Sequence, residues 1–299
     1  MQKLRLFFRN DNYYGAFLIT TMAILSSLNN SFIHATATKY APVQIIFFKS
    51  LTALAVLKII LPYTNKQLSK SHALAWQITR AIFAFFGILI FTLSLRYLTI
   101  AETVVFSSSS AIFTSVGAQV FFMERITSKR WVALFISTIG VIIYNFYVSS
   151  VNVYLLFPIL SALLFSCSSL CIKQVSEYDS TYTTLFYLLV SLVTLSIIPA
   201  YYYWLTPNLT DTVFILGAGF CYIIMQLALI EAYTFADAAF IAPFKFAKYP
   251  VNILAGFIFF AEWPNQHVFI GGSLILLIMV FLLALDKEKV KQHTTDKIG

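Results

Sequence analysis

Lys245 and Lys248 stand three residues apart in the middle of an apolar run, bracketed by Pro243 and Pro250. At that spacing two side chains share one helix face. Two neighbouring ammonium groups repel each other unless an anion lies between them, and no acid in the same run is within reach. Proline removes a backbone donor and loosens a helix, so the same stretch has carbonyls to offer a ligand, as in the broken helices of transporters. The chemistry implied is capture of an anionic group such as a carboxylate. The competing reading is an ion pair with Glu231 or Glu102, or snorkelling of the long stems towards an interface. Phe244, Phe246 and Tyr249 flank the lysines and offer rings to a flat group.

Other polar residues interrupt the apolar runs. Arg80 offers a planar fork suited to a carboxylate, and its other reading is an anchor for lipid headgroups. Asn29, Asn30 and Gln226 are hard to bury without partners and are candidate hydrogen-bonding groups for a polar solute. Ser107 to Ser110 place Ser109 in the same candidate set, against a plain role in close helix packing. Lys49 and Lys58 both read as snorkelling bases. Glu102, Glu231 and Asp237 are candidates for coupling or gating; for Glu102 and Asp237 the alternative is a negative charge matched to a helix N-terminus. Glu124 and Glu262 read as closing charges that pair with loop bases. No metal or catalytic signature appears. The four histidines are dispersed, and Cys167, Cys171 and Cys221 sit in apolar runs as small filler. No His-Glu-x-x-His and no phosphate-cradling glycine loop is present. The reading is of a non-enzyme without cofactor or metal.

These residues need elements to hold them. The chain is 60% hydrophobic and 11% charged over 299 residues, against about 25% charged in a soluble domain. Apolar stretches of about 20 residues, the length that crosses a bilayer, recur from end to end. They predict an all-α membrane protein of ten spans: 13–34, 42–62, 73–95, 99–122, 129–148, 153–173, 181–204, 210–231, 236–260 and 266–285. Continuous rather than alternating hydrophobicity excludes a β-barrel. The polar start, Arg9-Asn10-Asp11-Asn12, does not read as a cleavable leader.

Lys and Arg are distributed unevenly between the two sides. Thirteen fall in loops and tails on the side of the N-terminal tail, and only Lys39 and Arg96 on the other. This bias predicts that both termini are cytoplasmic. The net charge of +8 therefore serves orientation. The bases form no stripe of the kind that grips nucleic acid, so no nucleic-acid partner is expected. The expected partners are a small-molecule substrate and the lipid bilayer.

The two halves look related. Tyr97-Leu98, then Ala101-Glu102, then an apolar run closed by Glu124, is echoed by Tyr233, Ala236-Asp237 and a run closed by Glu262. Glycines follow in each next span, Gly140 and Gly271-Gly272. Five spans per half is an odd number, so the halves must be inverted, as in secondary transporters. The predicted organisation is a cytoplasmic tail (1–12), a first five-helix repeat (13–148), a second (149–285) and a cytoplasmic tail (286–299).

Those motifs resemble the EamA-type, ten-helix members of the drug/metabolite transporter superfamily. The resemblance spans nearly the whole chain and is carried by Tyr97 to Glu124, with Arg130-Trp131 and Gly140 beyond, and by Tyr233 to Glu262. Two departures stand out: Met123 precedes Glu124 where the family has glycine, and the helix-centre proline, present as Pro243, is replaced in the first half by Ser107–Ser110. The resemblance implies a 5+5 inverted bundle working by alternating access in a bacterial inner membrane, without an ATPase subunit. A weaker likeness, at Ala242-Pro243-Phe244-Lys245-Phe246-Ala247 and Trp204-Leu205-Thr206-Pro207, is to S-adenosylmethionine uptake carriers. It implies uptake or exchange of that carboxylate-bearing metabolite. The alternatives are an exporter of amino acids or drugs, and, in another class, a non-transporting membrane scaffold or enzyme.

Overall fold

A computed structural model describes residues 11–64, 68–98, 103–104, 106–124, 131–132, 135, 153–248 and 251. Apart from Trp131, Val132 and Phe135, the spans expected at 129–148 and 266–285 lie outside the described residues, as do Glu102, Tyr249 and Glu262. The described residues form helices joined by turns and loops, with no strand among them.

The helices are α1 (Asp11–Ala37), α2 (Pro42–Ile60), α3 (Leu74–Tyr97), α4 (Ser110–Phe122), α5 (Leu156–Val175), α6 (Thr181–Tyr202), α7 (Leu209–Phe235) and the short α8 (Ala238–Ile241). Six of these, α1 to α3 and α5 to α7, are long and apolar enough to cross a membrane. Their starts follow local chemistry. Pro42 opens α2 at a first-turn position, where its missing donor costs nothing. Ser180 caps α6 by accepting from the Thr183 N–H. Asn208 caps α7 by accepting from the Asp211 N–H at 2.8 Å. The Thr206-Pro207-Asn208 segment that joins α6 to α7 therefore doubles as a helix start.

The expected spans at 99–122 and 236–260 are not continuous α-helices where they are described. A 3₁₀ turn, Ser107–Ser109, precedes α4, and a longer one, Ala242–Ala247, follows α8. Short 3₁₀ segments inside helical runs mark hinges or strained sequence. Pro243 accounts for the second, since it has no N–H to give to an α ladder. In the first, Ser107 and Ser109 turn their hydroxyls back onto the Val104 and Phe106 carbonyls, a local bond that competes with the helix.

The most extensive helix contacts are α1 with α7 and α3 with α5, followed by α2 with α6 and with α7. α4 packs on α5, and the Ala242–Ala247 turn packs on α1. Glycine permits several of these approaches. A Cβ at Gly15 would stand 2.3 Å from Ala236 Cβ, and one at Gly219 would stand 2.9 Å from the Lys49 carbonyl oxygen. Small residues bring helix backbones together in this way where the surroundings are lipid.

Candidate functional site

The helices surround a cavity of about 170 Å³. A water needs roughly 10–15 Å³ of such space, so there is room for about ten. A charge on the wall can remain hydrated there, which it could not in hydrocarbon.

Several residues singled out in the sequence meet on this wall. Asn29 and Asn30 come from α1, Gln226 from α7, and Lys245 and Lys248 from the 3₁₀ turn and the residue after it. Side chains at i and i+3 eclipse in a 3₁₀ helix, which sends both lysines up one side. Lys245 Nζ donates to Thr114 Oγ1 at 3.2 Å and stands 5.4 Å from the centre of the Tyr233 ring. Lys248 Nζ donates to Ser107 Oγ at 3.2 Å. Each lysine in the broken span of one half thus donates to a hydroxyl on the serine- and threonine-rich span of the other. Glu231, weighed in the sequence as a partner for the lysines, is instead buried against the Tyr14 hydroxyl at 3.4 Å.

Other expected site residues fall elsewhere. Arg80 is buried but not on the wall. It stands behind Gln226, donating to Gln226 Oε1 at 3.4 Å and to the Thr184 carbonyl at 3.1 Å. This corrects the lipid-anchor reading, because the guanidinium faces protein. Phe244 is buried against Phe240, with ring centres 5.5 Å apart, rather than in the cavity. Ser109 spends its hydroxyl on its own turn, while its neighbours Ser107 and Ser110 line the cavity. Asp237 is an exposed residue at the start of α8, and its N–H donates to Asn12 Oδ1 at 3.3 Å. Glu124 pairs with Lys173 at 2.6 Å, as its closing position suggested.

Lys49 requires a larger correction. It does not snorkel. Its side chain is buried, lines the cavity and stands 4.4 Å over the Tyr222 ring. A signal was present in the sequence: Lys49 is seven residues into α2, about 10 Å from its start at 1.5 Å per residue. Lys58, one turn from the other end, is exposed as expected. Aromatic wall residues that sequence reasoning passed over are Phe91, Phe165 and Tyr222. They were indistinguishable from the many other rings of this chain.

The carbonyls near the helix breaks are not all left for a ligand. Ser27 on α1 donates to the Lys248 carbonyl at 3.2 Å, and Ser166 on α5 donates to the Ser110 carbonyl at 2.9 Å. Asn29 Nδ2 donates to the Ala218 carbonyl at 2.7 Å. That leaves Asn29 an acceptor oxygen for a solute.

Two polar rims stand on either side of the cavity. On the side where α1 ends, Lys39 Nζ reaches Asp211 Oδ1 at 2.9 Å, the Tyr40 hydroxyl donates to Asp211 Oδ2 at 2.8 Å, and Arg96 donates to the Ala37 and Tyr40 carbonyls at 2.7 and 2.6 Å. Burial pushes the Tyr40 phenol up, helped by its bond to the Asp211 carboxylate. On the other side Asp179 accepts from Ser71 Oγ, from the His72 N–H at 3.0 Å and from Gln77 Nε2 at 2.9 Å. Burial alone would raise its pKa, but these three donors outweigh burial and hold the carboxyl below the usual carboxylate range.

Residues 13–146 match the EamA-like transporter family. The chain is 28% identical over 290 residues to a riboflavin transporter of Vibrio cholerae, covering 93% of this chain and 96% of that one. It is 31% identical over 218 residues to a riboflavin transporter of Rhizobium johnstonii, 72% of each chain. It is 26% identical over 281 residues to an S-adenosylmethionine uptake transporter of Rickettsia bellii, covering 93% and 95%. A solved crystal structure superposes with a TM-score of 0.76 at 12% identity, over 92% of this chain and 98% of that one. Apolar spans around a cavity with room for about ten waters, relatives that are named as transporters and the family match agree: the chain belongs to the EamA-like transporter family, and is a multi-pass membrane transporter rather than an enzyme.

Proposed function

We propose that the chain is a secondary transporter of a flat, carbonyl- or carboxylate-bearing metabolite, held at the cavity by Lys245 and Lys248 and moved by alternating access. One observation carries this reading. Three lysines, Lys49, Lys245 and Lys248, line the cavity together with Phe91, Phe165 and Tyr222, and no carboxylate lines it among the described residues. Ammonium groups without acids suit a solute rich in acceptors, and the rings suit a flat face. Asn29, Asn30 and Gln226 supply further hydrogen bonds.

The charge balance ranks the substrates suggested by the relatives. S-adenosylmethionine carries a sulfonium and an ammonium against one carboxylate, so it is a net cation. Its carboxylate fits the lysines and its sulfonium fits a π face, but its positive groups meet no acid on the described wall. A flavin has a flat ring with carbonyl acceptors and no net charge. A riboflavin-like substrate therefore ranks first and S-adenosylmethionine second, with export of amino acids or drugs behind both.

The ten-helix 5+5 arrangement is part of the proposal. Helix pairing supports it: if α1, α2 and α3 correspond to α5, α6 and α7, the α1–α7 contact exchanges with α5–α3, and α2–α7 with α6–α3. The two serine-to-carbonyl bonds, Ser27 to Lys248 and Ser166 to Ser110, exchange as well. Cytoplasmic termini in a bacterial inner membrane complete the reading, supported by the distribution of Lys and Arg.

Uptake into proteoliposomes of labelled riboflavin and of labelled S-adenosylmethionine, each against an empty and a preloaded lumen, tests the proposal. Saturable riboflavin uptake stimulated by preloading is expected. Saturable uptake of S-adenosylmethionine with no riboflavin uptake would reverse the ranking, and uptake of neither would remove both substrates.

A further inference from the structure

Lys49 is a cation 2% exposed, and the ring of Tyr222 lies against its ammonium group. Lys245 and Lys248 each have a hydroxyl partner on the span that carries Ser107 and Thr114, whereas the contact of Lys49 is the Tyr222 ring on α7. It belongs to a different part of the wall, where α2 meets α7. Tyr222 and Gln226 are four residues apart on α7 and share a face. The Tyr222 hydroxyl is buried without a hydrogen-bond partner. Arg80 approaches Gln226 from behind, and its Nε is buried without a partner. Because Arg80 donates to Oε1, the Gln226 amide is held with its NH₂ as the group left to donate. Lys49 and Gln226 are therefore donors on the cavity wall, and Tyr222 lines it beside them with a buried hydroxyl that lacks a partner; a buried guanidinium stands behind, and no carboxylate lines the cavity among the described residues. A buried cation without a counter-charge is costly, and a donor set with no acceptor is half of a binding site.

We propose that Lys49, Tyr222 and Gln226 form a second acceptor-binding subsite of the cavity, held in position by Arg80 and separate from Lys245 and Lys248. The inference rests on the proposed function for the substrate's first end, and adds that the substrate is gripped at two ends. Its acceptors are the far end of the transported solute or a small inorganic anion bound beside it; the chemistry is the same, and the sources are separated by test.

The experiment uses the full chain in nanodiscs. It measures riboflavin affinity by quenching of flavin fluorescence, and thermal stability in sodium chloride against sodium gluconate, whose bulky anion does not fit. Wild type is compared with Lys49→Met, Lys49→Arg and Lys245→Met, each checked for a monodisperse elution profile. If the solute's second end occupies the subsite, Lys49→Met weakens riboflavin at least tenfold, Lys49→Arg restores most of it, and chloride has no effect. If an inorganic anion occupies it, wild type melts higher in chloride, Lys49→Met loses that difference, and Lys245→Met keeps it. If wild type binds no riboflavin but shows the Lys49-dependent chloride shift, the riboflavin reading fails and the subsite stands. If Lys49→Met changes riboflavin affinity less than twofold and leaves no chloride shift to lose, or leaves one intact, the subsite is refuted. It is refuted equally if wild type shows neither riboflavin binding nor a chloride shift.

Discussion

Gly219→Ala tests whether close approach of α7 to α2 builds the lysine wall. A methyl group there would stand 2.6 Å from Thr52 Cβ, 2.8 Å from Thr52 Cγ2 and 2.9 Å from the Lys49 carbonyl oxygen. Carbon pairs rest at about 3.5–4.0 Å, so α7 must retreat by about 1 Å. The carbonyl is backbone and cannot swing aside. Overpacking of this kind costs about 1–3 kcal/mol. The retreat also carries Tyr222 away from Lys49, from 4.4 Å towards the roughly 6 Å limit of a cation–π contact. Gly217→Ala is the control, since the atoms nearest its methyl group would be those of the Phe32 ring, at 3.1 to 3.4 Å, and a ring can tilt. Thermal unfolding in nanodiscs should show a clear drop for Gly219→Ala and a small one for Gly217→Ala. Adding Thr52→Ala to Gly219→Ala should recover part of the loss but not all, because the carbonyl remains. Equal melting of the two alanine variants and wild type would refute the packing argument.

Three further outcomes are expected. Asp211→Ala should lower the melting temperature more than Tyr40→Phe, because it strips the acceptor from both Tyr40 and Lys39; the reverse order in a thermal shift series contradicts the rim as drawn. Asp179 has a folded pKa below its unfolded value of about 3.9, so its contribution is present above that value and is lost as pH falls through the folded pKa. Asp179→Asn should accordingly melt below wild type at pH 6, with the gap closing as pH falls below 4, and a gap that widens in acid would be inconsistent. Glu124→Gln should cost roughly 1 kcal/mol by weakening a half-buried pair with Lys173, and Lys173→Gln in the same background should add little; full additivity in denaturant titrations would mean that the pair is not coupled.

The fold class was legible because a bilayer demands long continuous apolar helices, and composition displays them directly. The break in the ninth span was legible for the same kind of reason: Pro243 has no donor to hide. Its counterpart at Ser107–Ser109 was not, because serine leaves the α ladder only when its hydroxyl wins a local bond. Asn29, Asn30, Gln226, Lys245 and Lys248 were found because polar groups in hydrocarbon need a reason. Lys49 differs from the snorkelling base expected of it because its depth in α2 does not tell which way its side chain points. Its burial depends on the α2 face that meets α7, which Gly219 sets from elsewhere in the chain. Phe91, Phe165 and Tyr222 had no local signal, since aromatics make up 17% of the sequence.

The central claim is that the lysines on the cavity wall hold the solute that crosses. Counterflow of labelled riboflavin into preloaded proteoliposomes, measured for wild type, Lys245→Met and Lys248→Met, tests it most directly. Losing one charge-assisted contact costs about 1.5–3 kcal/mol, so each variant should need roughly ten- to a hundredfold more substrate for half-maximal exchange, while reconstituting as well as wild type. Exchange in both variants with the wild-type concentration dependence would contradict the account.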